Sequence, residues 1–446
     1  MPASDIHCSV LTASRNGAHE LSKNTTAPAK PTSFLRRFFS ALGPGLTTGA
    51  ADDDPSGVAT YAIAGAQLGT SILWTALITW PLMAAVQMMC ARIGLVTGDG
   101  LAGALRRKIP QPLLICAVFA LLIANAINIA ADLSGMAAAT EMLTGFSSHV
   151  AVIVFGIGSA YATVRFRYRH IAAVLKWLAA ALLAYVIAGF VIAPDWSTIA
   201  RDTFVPTLPR DSAGWATLVA ILGTTISPYL FFWQTSQEVE EEKALGRLIR
   251  VRASGATRGE ISTRKLDVAT GTFFSNLVMY FIILTTASTL HRAGVMQITT
   301  ADQAAEALRP LAGNFAALLF TLGIVGAGLL AIPTLAGSAA YAIAETFQWR
   351  EGLDEKFKSA RAFYAVLIGS TLLGIIIHFG GVSPVRALFW SAVINGLLAP
   401  FLLLGVMFVA CDRALMHAQS SSLLGRLGVA LATIAMFAAG IAMFLV

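Results

Sequence analysis

From about residue 41 onward the chain is a succession of apolar runs long enough to cross a bilayer. The first run is interrupted near mid-span by three consecutive aspartates, Asp52, Asp53 and Asp54, closed by Pro55, Ser56 and Gly57. On insertion scales each central carboxylate costs about 2.5–3.5 kcal/mol, so three cost roughly 8–10 if all are ionised and unpaired. The fold must compensate them, and a bound cation is the first candidate.

The 446 residues are 56% hydrophobic and only 12% charged, with mean hydropathy +0.71. That is too apolar for a soluble chain of this length and indicates a polytopic membrane protein embedded in a lipid bilayer. Cys8, Cys90, Cys116 and Cys411 show no CxxC or metal-type spacing, so neither a disulfide framework nor a zinc site is indicated. Residues 1–33 are rich in Ser, Ala, Thr, Asn, Lys and Pro without a signal-peptide core, and read as a disordered cytoplasmic tail.

Apolar segments fall at 41–67, 72–96, 112–142, 149–164, 171–194, 214–237, 267–290, 313–345, 361–379, 384–410 and 423–446, eleven spans in all. With a cytoplasmic amino terminus, the outer side keeps only Arg201, Arg210, Arg292, Arg309 and Arg386, leaving 26 of the 31 Lys and Arg inside. The net charge of +7 is therefore topological. Clusters such as Arg106, Arg107 and Lys108, or Arg165, Arg167 and Arg169, need only the anionic inner leaflet, and no nucleic-acid partner is expected. Glu238–Glu242, followed by Arg247, Arg250 and Arg252, reads as a solvated extension of the sixth span, and SGATRGEISTRK at 254–265 as a flexible inner loop.

Two spans carry helix breakers deep inside them: Asp54-Pro55-Ser56-Gly57 in the first, and Gly-Thr-Thr-Ile-Ser-Pro-Tyr at 223–229 in the sixth. Proline removes a donor and clashes with the preceding turn, and glycine accepts otherwise forbidden dihedrals, so both spans are predicted to unwind there. Non-helical backbone at membrane depth is tolerated only where it lines a cavity or is buried in protein. Breaks five spans apart imply two units of odd length inserted in opposite senses, the inverted-repeat plan of many secondary transporters. The expected fold is all-α and LeuT-type, a 5+5 inverted repeat plus one extra helix. The transporter domain runs over 34–446, with repeats at 41–194 and 214–410 and the additional helix at 423–446.

The polar groups at the breaks are the aspartates, the hydroxyls of Thr224, Thr225 and Ser227, and freed carbonyls. All are hard oxygen donors, and no Met, Cys or His stands at either break, which suits Mg²⁺, Mn²⁺ or Ca²⁺ better than softer metals. Adjacent helical residues lie about 100° apart, so the three aspartates cannot all face one ion unless the segment is unwound. Asp54 is the strongest candidate ligand, with Asp53 second. In the third span, Asn125, Asn128 and Asp132 are spaced to share one face. They read either as a lining of the ion path or as partners in interhelical hydrogen bonds.

These segments resemble the Nramp divalent-metal transporters. Gly43-Pro44-Gly45, separated by eight residues from Asp54-Pro55, has the spacing of that family's first helix, whose signature is Asp-Pro-Gly-Asn. ILGTTISPYLFFWQTS at 221–236 is similar to the family's Ala-Thr-Val-Met-Pro-His-Asn region. ADLSG at 131–135 resembles its third-helix Ala-Thr-Asp-Leu-Ala-Glu, and 325–347 resembles its eighth helix. Carried over by motif, Gly57 takes the place of the metal-binding asparagine, Thr224 of the alanine whose carbonyl contributes, and Ser227 of the methionine. Tyr229 replaces the histidine and Gly135 the third-helix glutamate. Gln234 stands at a second histidine position, with Trp233 beside it. Ala392 stands at a tenth-helix glutamine position, with Asn395 one turn away as a substitute.

Asp54 and Asp132 persist. The methionine that selects transition metals is gone, as are the histidine and glutamate of the family's proton route. This pattern looks like the divergent Nramp-related magnesium transporters, in which smaller side chains leave room for a hydrated ion.

The resemblance implies a monomeric inner-membrane transporter, not an enzyme and without a resident cofactor, that imports Mg²⁺ or Mn²⁺ by alternating access without proton coupling. The implied metal residues are Asp54, Gly57, Thr224, Ser227 and Asp53. The implied pathway residues are Asn128, Asp132, Tyr229, Gln234 and Asn395. Alternatives are a proton-coupled Mn²⁺/Fe²⁺ symporter and a LeuT-type amino-acid transporter, whose first break is ordinarily glycine-rich and free of acid. An intramembrane aspartyl protease needs two catalytic aspartates in its own motifs, which Asp99 in TGDG does not supply. His378, near the end of a span, reads as a satisfied structural residue.

Overall fold

The computed structural model describes residues 44–166, 175, 180–192 and 195–446. The tail at 1–33, part of the fifth predicted span, Cys8, Gly43, Arg167 and Arg169 lie outside the described residues.

The first span is two helices, α1 (Pro44–Asp52) and α2 (Pro55–Leu68). They are followed by α3 (Trp74–Thr97), α4 (Gln111–Thr144), α5 (Ser148–Arg165) and the short α6 (Ala184–Val191). The sixth span is likewise split, into α7 (Ser212–Thr225) and α8 (Pro228–Ala244). Then come α9 (Arg258–Thr286), α10 (Ala316–Phe347), α11 (Arg361–His378), α12 (Pro384–Cys411) and α13 (Leu423–Leu445).

Among the described residues nine helical stretches are long and apolar enough to cross a membrane. The pieces too short to qualify are α1, α2 and the α6 region, and they stand where the sequence places its first and fifth spans. The chain is an all-helical multi-pass membrane protein.

Both breaks follow one local rule. The residue before a proline is driven out of the helical region, and Asp54 (φ −69°, ψ 168°) and Ser227 (φ −75°, ψ 133°) are both extended immediately before Pro55 and Pro228. Each proline then opens the next helix, where its missing N–H is no loss. Of the nine described stretches the broken sixth span is the most enclosed, with 94% of its most apolar segment buried, against 28% for α5. Irregular backbone therefore lies where protein rather than lipid surrounds it. Val154 and Ile157 on α5, and Leu431 and Ile434 on α13, are exposed on the outside of the bundle.

Small residues bring the central helices together. A Cβ at Gly49 of α1 would lie 2.5 Å from the carbonyl of Gly271 on α9, and one at Gly223 of α7 would lie 2.2 Å from the backbone N of Gly396 on α12. In lipid, where burial of apolar surface drives nothing, such close backbone approach supplies the packing attraction.

At the other end of α1, the Gly45 N–H donates to Asp267 Oδ2 at 2.8 Å. Arg264 Nη1 bonds the same carboxylate at 2.6 Å, Nε pairs with Glu238 at 2.8 Å, and Nη2 pairs with Glu241. One guanidinium thus joins α8 to α9 and, through Asp267, to α1.

Two sequence expectations change here. Glu238 and Glu242 are fully buried rather than solvated, because Arg264 and Arg247 reach them. Residues 258–265 are helical rather than loop, because Thr257 and Glu260 form a reciprocal capping box at the start of α9.

Arg264→Gln leaves three carboxylates without their cation. Breaking a buried ion network costs about 3–5 kcal/mol, so the apparent Tm of the purified protein falls far more than for Arg309→Gln, whose pair with Glu306 is 65% and 48% exposed. Gly49→Leu likewise lowers the apparent Tm, because it drives α1 off α9, while Gly158→Leu, with open space around the position, leaves it unchanged.

Candidate metal site

Asp54 is the hinge of the first break. As N-cap of α2, its Oδ1 accepts the Gly57 N–H at 2.6 Å, satisfying one of the orphan donors of a helix start. Its Oδ2 accepts from Asn128 Nδ2 on α4 at 3.0 Å. The same amide nitrogen also donates to Asp132 Oδ2 at 3.1 Å, one turn along α4. Asp132 Oδ1 accepts the Ser56 N–H at 3.2 Å, the first free donor of α2. Asn128 spends its own oxygen on Asn395 Nδ2 of α12, at 3.1 Å. Two carboxylates and two amides from α2, α4 and α12 thus form one buried network. Ser56 adds a fourth anchor, its hydroxyl lying 2.9 Å from the Leu388 carbonyl and 2.8 Å from Ser391 Oγ.

The sixth span borders this network from the other side. A Cβ at Gly57 would sit 2.9 Å from Thr224 Oγ1 and 3.3 Å from Asp54 Oδ1. The space vacated by glycine is therefore occupied by the threonine hydroxyl in this conformation, not left open for water. Ser227 does not point its hydroxyl at Asp54. It donates back to the carbonyls of Gly223 and Thr224, at 2.8 and 2.7 Å, so the carbonyls freed by the break are covered internally. Asp54, Asp132, Asn128, Asn395, Thr224 and Ser227 are all buried, and the network is closed to both sides.

Other predicted residues are placed elsewhere. Tyr229 donates its phenol proton to the Ala51 carbonyl at 3.0 Å, tying α8 to the end of α1. Gln234 donates to Glu238 at 2.7 Å and belongs to the Arg264 cluster. Asp53 turns away from Asp54: with Asp52 it faces Ser275 on α9, at 3.2 and 2.6 Å. Asn125 leaves the polar face of α4 and donates to the Leu335 carbonyl and Ser338 on α10. Gly135 faces Leu388, whose Cδ1 would be 2.9 Å from an added Cβ, so this position is lined by hydrocarbon where the resemblance places a glutamate. Trp233 packs edge-on to Tyr341. His378 bonds Ser134 through Nδ1 and His149 through Nε2, which satisfies both ring nitrogens.

The sequence reading missed Ser56 and Ser391 at the network and Ser275 beneath Asp52. Ser56 had a signal, because the residue after a breaking proline carries an N–H that α2 itself cannot satisfy. Ser275 and Ser391 had none, being single hydroxyls in apolar spans.

Chemically, the break offers carboxylate, hydroxyl and amide oxygens. Among the described residues no three His, Cys, Asp or Glu side chains converge as a ready cage. The donor set is hard and suited to a cation that keeps part of its water shell.

Comparison with known proteins follows the same lines. The sequence pattern of the family described as natural resistance-associated macrophage protein-like, Nramp, matches residues 45–446. The divalent metal cation transporter MntH of Yersinia enterocolitica is 28% identical over 320 residues, 69% of this chain and 73% of that one. Its counterpart in Pectobacterium carotovorum subsp. carotovorum is 30% identical over 313 residues, 67% and 71% of the two chains. In fold, the chain superposes on the manganese transporter of Eremococcus coleocola with TM-score 0.70 at 17% identity, covering 94% and 90% of the two chains. It also superposes on the LeuT-fold transporter MhsT with TM-score 0.52 at 13% identity, covering 91% and 98%. The span of the sequence match, together with the paired breaks at Asp54-Pro55 and Ser227-Pro228, places this chain in the Nramp family.

Proposed function

We propose that the protein moves a divalent cation, Mg²⁺ or Mn²⁺, into the cytoplasm by alternating access, as a monomer in the inner membrane with its amino terminus inside, and without proton coupling. The observation that carries this reading is the Asp54 network. A buried carboxylate caps one broken helix, faces the hydroxyl of the other break, and has a second carboxylate linked to it through Asn128. No cationic side chain pairs with Asp54 or Asp132 among the described residues, so the charge balance is supplied by a cargo ion.

In this mechanism Asp54 is the principal ligand. Thr224 and the backbone at Gly57 flank it, and Ser227 releases the Gly223 and Thr224 carbonyls as the break opens. Asp132, Asn128 and Asn395 hold Asp54 in place and line the route. The first and sixth spans can bend at their breaks, so rocking of one bundle against the other exposes Asp54 to one face at a time. No covalent chemistry is needed.

The absence of proton coupling is supported at three positions. Gly135, where the resemblance places a glutamate, faces Leu388. Tyr229, at the histidine position, is committed to the Ala51 carbonyl. Gln234, at the second histidine position, is committed to Glu238. With these groups gone, the membrane potential, worth about 2.3 kcal/mol per charge per 100 mV, is the remaining driving force.

The decisive experiment follows Mg²⁺ and Mn²⁺ entry into liposomes carrying the purified protein while internal pH is recorded. Both ions enter, faster at inside-negative potential, and internal pH stays constant. Acidification in step with metal entry overturns the uncoupled mechanism in favour of proton-coupled symport, and Mn²⁺ entry without Mg²⁺ entry overturns the magnesium assignment. Asp54→Asn, which keeps the shape and the cap acceptor but removes the charge, reduces uptake of both ions to that of empty liposomes. Wild-type uptake by this variant removes Asp54 from the site.

A further inference from the structure

We propose that Asp52, Asp53 and Ser275 form a second station for the transported divalent cation, on the α9 side of the first break and separate from the Asp54 network. The proposal rests on the transport reading above and adds to it a place where the ion pauses between Asp54 and the face of the membrane that holds the Arg264 cluster.

Asp52 ends α1 and Asp53 lies in the bend. Their carboxylates turn to α9, opposite to Asp54, which turns to α4. Ser275 Oγ lies 2.6 Å from Asp52 Oδ2 and 3.2 Å from Asp53 Oδ1. A serine hydroxyl carries one proton, which these two carboxylate oxygens must share. Asp52 Oδ1 has no hydrogen-bond partner among the described residues, on a residue that is 0% exposed. A buried polar atom left in that state costs free energy unless something outside the chain satisfies it.

The other acidic groups at this level are served. Asp132 has Asn128 and the Ser56 N–H. Asp267, farther along α9, has Arg264 and the Gly45 N–H. Asp52 and Asp53 make no ion pair among the described residues. Two adjacent carboxylates and a hydroxyl, all hard oxygens, fit a partly hydrated divalent cation and leave the remaining positions to water.

The arrangement also couples release to opening. α1 contributes the carboxylates and α9 the hydroxyl, so the station is complete only while the two helices are packed at Gly49 and Gly271. When α1 leaves α9, the ion loses Ser275 and faces water.

The test counts Mn²⁺ bound to the full-length protein in lipid nanodiscs, from the loss of free-ion spin-resonance signal, and measures Mn²⁺ uptake in proteoliposomes. Wild type binds two Mn²⁺ per chain. Asp54→Asn retains one weaker equivalent, which disappears when Asp52→Asn and Asp53→Asn are added. The Asp52→Asn/Asp53→Asn double variant retains the Asp54 equivalent, while its uptake falls about tenfold, the loss typical when an ion-orienting group is removed. Ser275→Ala weakens only the second equivalent, about fivefold, the ordinary worth of one hydrogen bond.

Asparagine is isosteric with aspartate, and an unchanged apparent Tm confirms that each variant is folded. Wild-type stoichiometry and uptake in the double variant overturn the second station, as does complete loss of binding in Asp54→Asn alone. Wild-type binding and uptake in Asp54→Asn with loss in the double variant overturn the Asp54 reading instead, leaving Asp52, Asp53 and Ser275 as the site.

Discussion

A membrane helix that stops at Asp52 and restarts at Pro55 leaves carboxylates and helix ends that lipid cannot solvate, and the rest of the structure is arranged around that constraint. The break is tolerated because protein surrounds it. α2 supplies its own first donors to Asp54 and Asp132, α4 supplies Asn128, and α12 supplies Asn395 and Ser391. Each contact satisfies a group that is costly to bury alone. None brings a cationic side chain to the aspartates, and that charge without a built-in counterion is what supports the proposal of a cation site here.

The second break is built by the same backbone rule but handled differently. Asp54 uses its side chain to cap the helix that follows it, whereas Ser227 uses its hydroxyl to cover the carbonyls of the helix that precedes it. One break therefore presents an acceptor to the interior, and the other keeps its acceptors covered. Close glycine contacts at Gly49–Gly271 and Gly223–Gly396 allow the broken helices to seat against their neighbours. At the far end of α1, Arg264 is the counterpart of the break: there a cationic side chain is built in, and three carboxylates with one backbone N–H are gathered by it.

Much of this was legible in the residues. Spans at 112–142, 149–164, 384–410 and 423–446 match α4, α5, α12 and α13 to within two residues, because hydrocarbon length sets both the run of apolar side chains and the length of the helix. Proline placed both breaks correctly. Asn128 and Asp132 were readable as one face, but Asn125, three residues away on that face, goes to α10 instead, because a helix between two neighbours divides its polar face between them. Burial of Glu238 and Glu242 was not readable, since a charge run looks the same whether water or a distant arginine meets it.

The sequence by itself determined that the chain crosses the membrane many times, that two spans unwind at Pro55 and Pro228, and that three aspartates stand at one of them. Those properties are local, fixed by transfer free energy and by backbone sterics. Tertiary structure decided which way each aspartate turns. Asp54 goes to Asn128 while Asp52 and Asp53 go to Ser275, a division of three adjacent like residues set by the donors that α4 and α9 bring to either side of the bend.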